Sequence, residues 1–171
     1  MRKLFLILIL ALATQAAIAQ SAEASTDNSG NKVLKGFISR QQLSSDPAFA
    51  WFAQNSKGYT PEAKAVAALK GERDSIYVLA FGGTWCDDTK AILPKFYALA
   101  DAAGLAQDRI TLLGVDAGKK TIQHLSETFN VTRVPTFIVL KNGQEMGRVV
   151  EYGKAGMWDK ELGEIVSGSG K

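Results

Sequence analysis

Ile76-Tyr77-Val78-Leu79-Ala80-Phe81, followed by Gly82-Gly83-Thr84-Trp85-Cys86-Asp87-Asp88-Thr89, is the stretch on which the reading of this chain turns. An unbroken apolar run with β-branched and aromatic members has the length and composition of a strand covered on both faces. Beyond the glycines, Ile92, Leu93, Phe96, Leu99, Ala100 and Ala103 recur at the spacing of one α-helical face, and Gly104 ends the pattern. The only cysteine of the 171 residues therefore stands where a buried strand turns into a helix. The first turn of a helix has unpaired N–H groups and the positive end of the macrodipole, and both favour a thiolate. Cys86 is on position alone the candidate nucleophile. A buried, inert thiol is the alternative, and the small residues ahead of it speak for access.

Working outward, Ile110 to Val115 reads as a second buried strand, parallel to the first because a helix connects them. Ile122, Leu125 and Phe129 predict one face of a further helix, which Asn130 closes in a left-handed conformation. His124, the single histidine, lies between those apolar positions and reads as a surface or boundary residue. Thr136 to Leu140 is a third strand, and Asn142-Gly143 turns it into an antiparallel partner over about Glu145 to Tyr152. Trp158, Leu162, Ile165 and Val166 form the core face of a last helix, after which the chain frays. Upstream, Asp46-Pro47 starts a short helix carrying Phe49 and Phe52, with Trp51 assigned to the core. Thr60-Pro61-Glu62 repeats that start before Ala65, Val66 and Leu69, and Gly71 supplies the stop. Gln20 to Asn31 is Ser, Ala, Asn, Gly and charge without apolar period, the composition of a disordered lead.

Charged residues make up 22% and hydrophobic residues 46% of the chain, ordinary for one globular domain. Met1-Arg2-Lys3, the apolar Leu4 to Thr14 and then Ala17-Ile18-Ala19 read as the basic, hydrophobic and cleavage regions of a signal peptide removed after Ala19. An apolar core helix would show a polar face, and this segment has none. Loss of Arg2 and Lys3 leaves 18 basic against 17 acidic residues, a net charge of +1, so nucleic acid is not an expected partner. No second membrane-length span follows, and no cysteine near the cleavage site offers a lipid anchor. The expected setting is periplasmic or secreted, where a lone cysteine is inert, reactive, or paired with another molecule.

Trp85-Cys86 resembles the start of the Trp-Cys-x-x-Cys motif of thioredoxins, and Pro94 falls eight residues after the cysteine, where that family carries its helix-kinking proline. Val134-Pro135-Thr136-Phe137 resembles the cis-proline loop of the family, and Lys141-Asn142-Gly143 the hairpin after it. The resemblance runs from about Tyr77 to the last helix. Three chemical parts differ: Thr89 stands for the second cysteine, Ala80 for a buried aspartate and Leu112 for a lysine. The departures agree, because the carboxylate and the lysine serve the proton of the second thiol. The chain is most similar to an exported bacterial monothiol branch with a Trp-Cys-x-Asp-Ser/Thr motif. The fold this implies is α/β, a thioredoxin fold with a mostly parallel central sheet, one antiparallel hairpin and helices on both faces, plus an N-terminal helical extension. The expected divisions are residues 1–19 signal peptide, 20–35 disordered lead, 36–71 helical extension, 72–167 thioredoxin-like domain and 168–171 frayed tail.

Cys86 is then the expected catalytic residue, with Trp85, Asp87, Asp88 and Thr89 supporting it. The resemblance implies that Val134 and Pro135 bind substrate, through a cis bond that leaves the Val134 backbone to pair with an extended peptide. Asp87 and Asp88 suit a helix N-terminus but repel a thiolate, and Thr89 is expected to donate a hydrogen bond to it. Gly82-Gly83 serves the sharp turn, where glycine tolerates positive φ, and no Gly-Lys-Ser/Thr follows to make a phosphate cradle. Asp87, Asp88 and Asp116 lack metal-ligand spacing, so neither metal nor other cofactor is expected. Peroxiredoxins carry Thr-x-x-Cys, and Thr84-Trp85-Cys86 departs from it. Two functions remain. In one, Cys86 performs monothiol thiol–disulfide exchange on exported proteins with disulfides or on low-molecular-weight thiols, and an external thiol resolves the adduct. In the other, the cis-proline groove is a chaperone-like peptide-binding module whose cysteine anchors clients or does nothing. Cys86 could also link two chains as a dimer.

Overall fold

The computed structural model describes residues 22–169, and the segment read as a signal peptide lies outside them, as do Gly170 and Lys171 of the expected tail. Six strands form one sheet: β1 (Glu23–Thr26), β2 (Lys32–Ile38), β3 (Ile76–Gly82), β4 (Ile110–Gly114), β5 (Thr136–Lys141) and β6 (Gln144–Val150), in the spatial order β1-β2-β4-β3-β5-β6. The helices are α1 (Arg40–Ser45), α2 (Trp51–Gln54), α3 (Ala63–Glu72), α4 (Asp87–Ala103), α5 (Leu125–Thr128) and α6 (Trp158–Ser167), with 3-10 turns at Pro47–Phe49, Gln107–Arg109 and Ile122–His124.

The expected run forms β3, buried at every residue but Tyr77. Its side chains alternate between two cores. Val78 and Ala80 join Ile92, Phe96, Leu99 and Leu162 under the long helices, and Leu79 and Phe81 join Leu113, Val131, Val134 and Ile138 on the other face. Phe96 stacks on Phe137 at 4.5 Å between centroids, which locks α4 to β5.

The sheet corrects the expectation of mostly parallel pairing. Only β3 and β4 are parallel, and the other four pairings are antiparallel. β4 finishes at Gly114 opposite Gly82, and β5 begins at Thr136 opposite Phe81, so the link between them leaves and returns at one end of the sheet and β5 must run back. That link does not carry the one continuous helix read from Ile122, Leu125 and Phe129. Gln123 and His124 have φ of 51° and 54°, which break it, although the three apolar residues still pack on the second core. His124 itself is exposed, and Asn130 has the left-handed φ expected of it, 52°.

The second correction concerns the N-terminus. Described residues of the expected disordered lead form a β-hairpin, and the expected helical extension begins as strand up to Ile38 and becomes helical from Arg40. What read as disorder is a turn: the Asp27 carboxylate accepts the Ser29 N–H at 2.9 Å, the Asn31 N–H at 2.8 Å and the Asn31 amide at 2.9 Å. Farther on, Asp46 caps the turn at Pro47 as expected, by accepting the Ala48 N–H. Trp51 is only partly buried beside Phe49 and Phe52. Glu62 rather than Thr60 caps α3, accepting the Ala65 N–H at 2.6 Å, and the helix continues through Gly71 to Glu72.

Candidate functional site

Cys86 is the N-cap of α4, with φ −86° and ψ 126°. Its amide donates to Gly83 O at 2.9 Å and its carbonyl accepts the Lys90 N–H at 3.0 Å, which closes the turn and starts the helix. No side chain caps that first turn, so its unpaired donors and the helix dipole act on whatever stands before them. The thiol is partly exposed, and its S–H donates to Val134 O at 3.4 Å. The Val134–Pro135 bond is cis and both residues are buried. The chain thus brings Trp85, Cys86, Val134 and Pro135 together from two stretches some fifty residues apart (|i−j| of 48 for the thiol and its acceptor).

The glycines earn their places differently from the expectation. Neither Gly82 nor Gly83 has positive φ; a Cβ on Gly83 would stand 2.7 Å from the Trp85 ring, and one on Gly82 would meet Thr89 Cγ2 at 3.0 Å. The indole lies across the turn because its Nε1 donates to Val115 O at 2.9 Å, and Lys119 Nζ sits 5.3 Å from the ring centre. Thr89 is almost fully buried beneath the turn, and its hydroxyl accepts the Gly83 N–H at 3.2 Å. The expected donation from Thr89 to the sulfur is thereby corrected: the side chain faces inward, and its hydroxyl braces the turn. Ala80 and Leu112 are register partners in β3 and β4, both buried and apolar, where the family pattern has carboxylate and lysine.

The two aspartates part company. Asp87 projects into solvent with its side chain 97% exposed and pairs with Lys90 at 3.3 Å. Asp88 faces Tyr152, whose phenol is pushed above its usual pKa by partial burial first, then by Asp88, with Cys86 and Asp87 adding to it. Tyr152 follows β6, where the Glu151 N–H donates to Pro135 O at 2.7 Å, so it belongs to the same surface as the thiol. Nothing in its sequence context marked it. Two other residues, Asn55 and Thr84, had no role legible in the sequence. Pro94 lies inside α4 without an N–H, which orphans the carbonyl four residues back at Lys90, and Asn55 Nδ2 takes it at 2.9 Å. The orphan was foreseeable from Pro94 although its partner was not. Thr84, inside the motif, is also buried and bonded to β2. Among the described residues no three His, Cys, Asp or Glu side chains gather as a metal site, and no helix is long and apolar enough to cross a membrane.

Residues 62–160, more than half of the chain, match the family model for thioredoxin. The chain belongs to the thioredoxin family. A thioredoxin of Echinococcus granulosus is 36% identical over 91 residues, 53% of this chain and 78% of that protein. A mouse thioredoxin is 32% identical over 80 residues, 47% of this chain and 70% of its own length. Among solved structures, a Pseudomonas aeruginosa protein of unknown function superposes with a TM-score of 0.52 at 18% identity, covering 78% of this chain and 93% of its own, a likeness of fold. This member is a thioredoxin-like redox protein with a thioredoxin fold and a mixed sheet.

Proposed function

We propose that this chain is an exported, monothiol member of its family that performs thiol–disulfide exchange through Cys86. The observation that carries the reading is a lone, partly exposed cysteine at a helix N-cap, with a buried threonine where an internal resolving thiol would stand. In the first step the Cys86 thiolate attacks one sulfur of a client disulfide. A Cys86–client bond forms as the client S–S bond breaks, and the departing sulfur takes a proton from solvent. Thr89 cannot perform the second step, since its hydroxyl is far less acidic than a thiol and is occupied by Gly83. An external thiolate therefore attacks the client sulfur of the mixed disulfide; a disulfide between the external thiol and the client forms as the Cys86–client bond breaks, and Cys86 leaves as a thiolate. The Val134 carbonyl that accepts the thiol hydrogen bond is the backbone group with which an extended client segment would pair. Partners on this reading are exported proteins with disulfides or low-molecular-weight thiols, and no cofactor is used. Export rests on the basic, apolar and small-residue segments of residues 1–19. Mass analysis of the protein expressed with that segment in a bacterial host should find a chain beginning at Gln20; an intact Met1 chain in the cytoplasm would refute export.

The exchange reading is tested by reduction of a protein disulfide such as those of insulin. Wild type should be slow without a small thiol, Thr89→Cys should gain about tenfold by regaining an internal resolving thiol, and Cys86→Ser should be inert. Wild type as fast as Thr89→Cys would overturn the monothiol step. If neither reacts and peptide binding survives Cys86→Ser, the peptide-binding module takes its place.

A further inference from the structure

We infer that Thr84 is a positioning residue for Cys86, and that through it the N-terminal hairpin β1–β2 is a working part of the reactive site. The inference rests on the exchange reading above and adds to it a determinant of where the sulfur stands. β2 is paired with β4 only through Gly36, Phe37 and Ile38, because β4 ends at Gly114. Past that point the Thr84 hydroxyl takes the place of a strand: it accepts the Leu34 N–H at 3.1 Å and donates to Lys32 O at 2.8 Å. One side chain, 3% exposed, thereby completes the inner edge of β2. Thr84 is two residues before the nucleophile, and the other ties of that turn are Gly83 to Thr89, Trp85 to Val115, Cys86 to Gly83 and the Cys86 thiol to Val134 O. The first runs to α4, the second to the residue after β4, the third stays within the turn and the fourth reaches the cis-proline loop. Among these ties Thr84 is the one that joins the turn to the N-terminal hairpin, fifty residues earlier in the chain.

Removing the hydroxyl would leave the buried Leu34 N–H without its acceptor and the Lys32 carbonyl without its donor, and the turn would shift to admit water or another partner. Attack on a disulfide needs the sulfur in line with the S–S bond, and a misplacement of about 1 Å is enough to cost a large factor in rate. Alkylation is also an in-line displacement, but a small reagent turns to meet the sulfur wherever it stands and so reads chiefly thiolate access.

The test compares wild type, Thr84→Val and Thr84→Ser in two reactions, attack on oxidised glutathione and alkylation by iodoacetamide. Thr84→Val should lose about tenfold in the first and less than about twofold in the second, and Thr84→Ser should restore the first. Equal rates for wild type and Thr84→Val, or a parallel fall in both reactions that Thr84→Ser does not repair, would overturn the positioning role. A wild type whose thiol ignores oxidised glutathione when folded would instead sink the exchange reading. Should Thr84→Val fail to fold, wild type still decides. Coupling is reciprocal, so a glutathione adduct on Cys86 should change amide exchange at Leu34 at least about threefold while leaving Val139 unchanged. No change at Leu34 would overturn the inference.

Discussion

β3 is covered on both faces and paired along its length, with β4 on one side and β5 on the other. β2 lies two places away in the same sheet, meets β4 over three residues and then depends on the side chain of Thr84. The central strand is held by its own apolar residues, which any neighbouring backbone could cover. The hairpin is held by fit at a few points: Leu34 O rests so close to Gly114 that a Cβ there would stand 2.1 Å away, and a Cβ on Gly36 would meet Ile122 Cγ2 at 3.2 Å. Burial of area tolerates change of detail and fit does not, so the two regions should fail in different ways.

The largest effect should come from asking β3 to carry charge. Ala80→Asp places a carboxylate at a fully buried position beside Leu112 and Phe137, and should cost about 3–5 kcal/mol because nothing there can pair it. Denaturant unfolding measures it, and adding Leu112→Lys should recover part; a tolerated Ala80→Asp would mean water reaches the core under α4. Gly114→Ala attacks the fit of the hairpin and should cost about 2–3 kcal/mol, since the close atoms are the Leu34 carbonyl and Ile38 Cδ1 at 2.6 Å. Amide exchange should show β1 and β2 opening before β3. Uniform loss of protection would erase the distinction drawn between the two regions.

Smaller changes sharpen it. Asn55→Ala frees the Lys90 carbonyl orphaned by Pro94 and should cost about 1 kcal/mol, with the variant Pro94→Ala offsetting it because the helix would then satisfy that carbonyl itself. Additive losses in the double variant would count against the pairing. Asp116, two residues past β4, ties the hairpin to the loop that follows that strand, accepting from Lys35 of β2 at 3.0 Å and from the Lys120 N–H at 2.9 Å. Burial alone would raise its carboxyl, but those donors hold it below the usual 3.8. A lowered folded-state pKa means that the stabilisation is present above pH 3.8 and is lost as the pH falls below it. With the pair about one-third exposed, Asp116→Asn should cost less than about 1 kcal/mol at neutral pH, and the deficit should vanish in acid. A deficit unchanged by pH would assign the role of Asp116 to its backbone turn alone.

How much of this was legible follows the same division. Apolar runs exposed β3 and β4, helical periodicity exposed α4 and α6, the Asn142-Gly143 turn exposed the β5–β6 hairpin, and the motif residues Trp85-Cys86 and Val134-Pro135 placed the site. The sheet was misread as mostly parallel because the link from β4 to β5 promised one helix, whereas left-handed Gln123 and His124 break it and return the chain at the same end. The hairpin at the N-terminus was illegible because β1 is exposed throughout and its turn is made of Asp, Asn, Ser and Gly. Thr84 and Asn55 act across 50 and 35 residues, distances over which local pattern carries nothing. Thr89 was found but misdirected, since its position in the motif does not tell which way a buried hydroxyl points.

The central claim, that folded Cys86 exchanges with disulfides and cannot release itself, is tested most directly by mass spectrometry of the native protein treated with oxidised glutathione and then freed of small molecules. The account predicts one glutathione per chain on Cys86, stable until an external thiol is added and absent from Cys86→Ser. An adduct that forms only after unfolding, or one that leaves without added thiol, would contradict it.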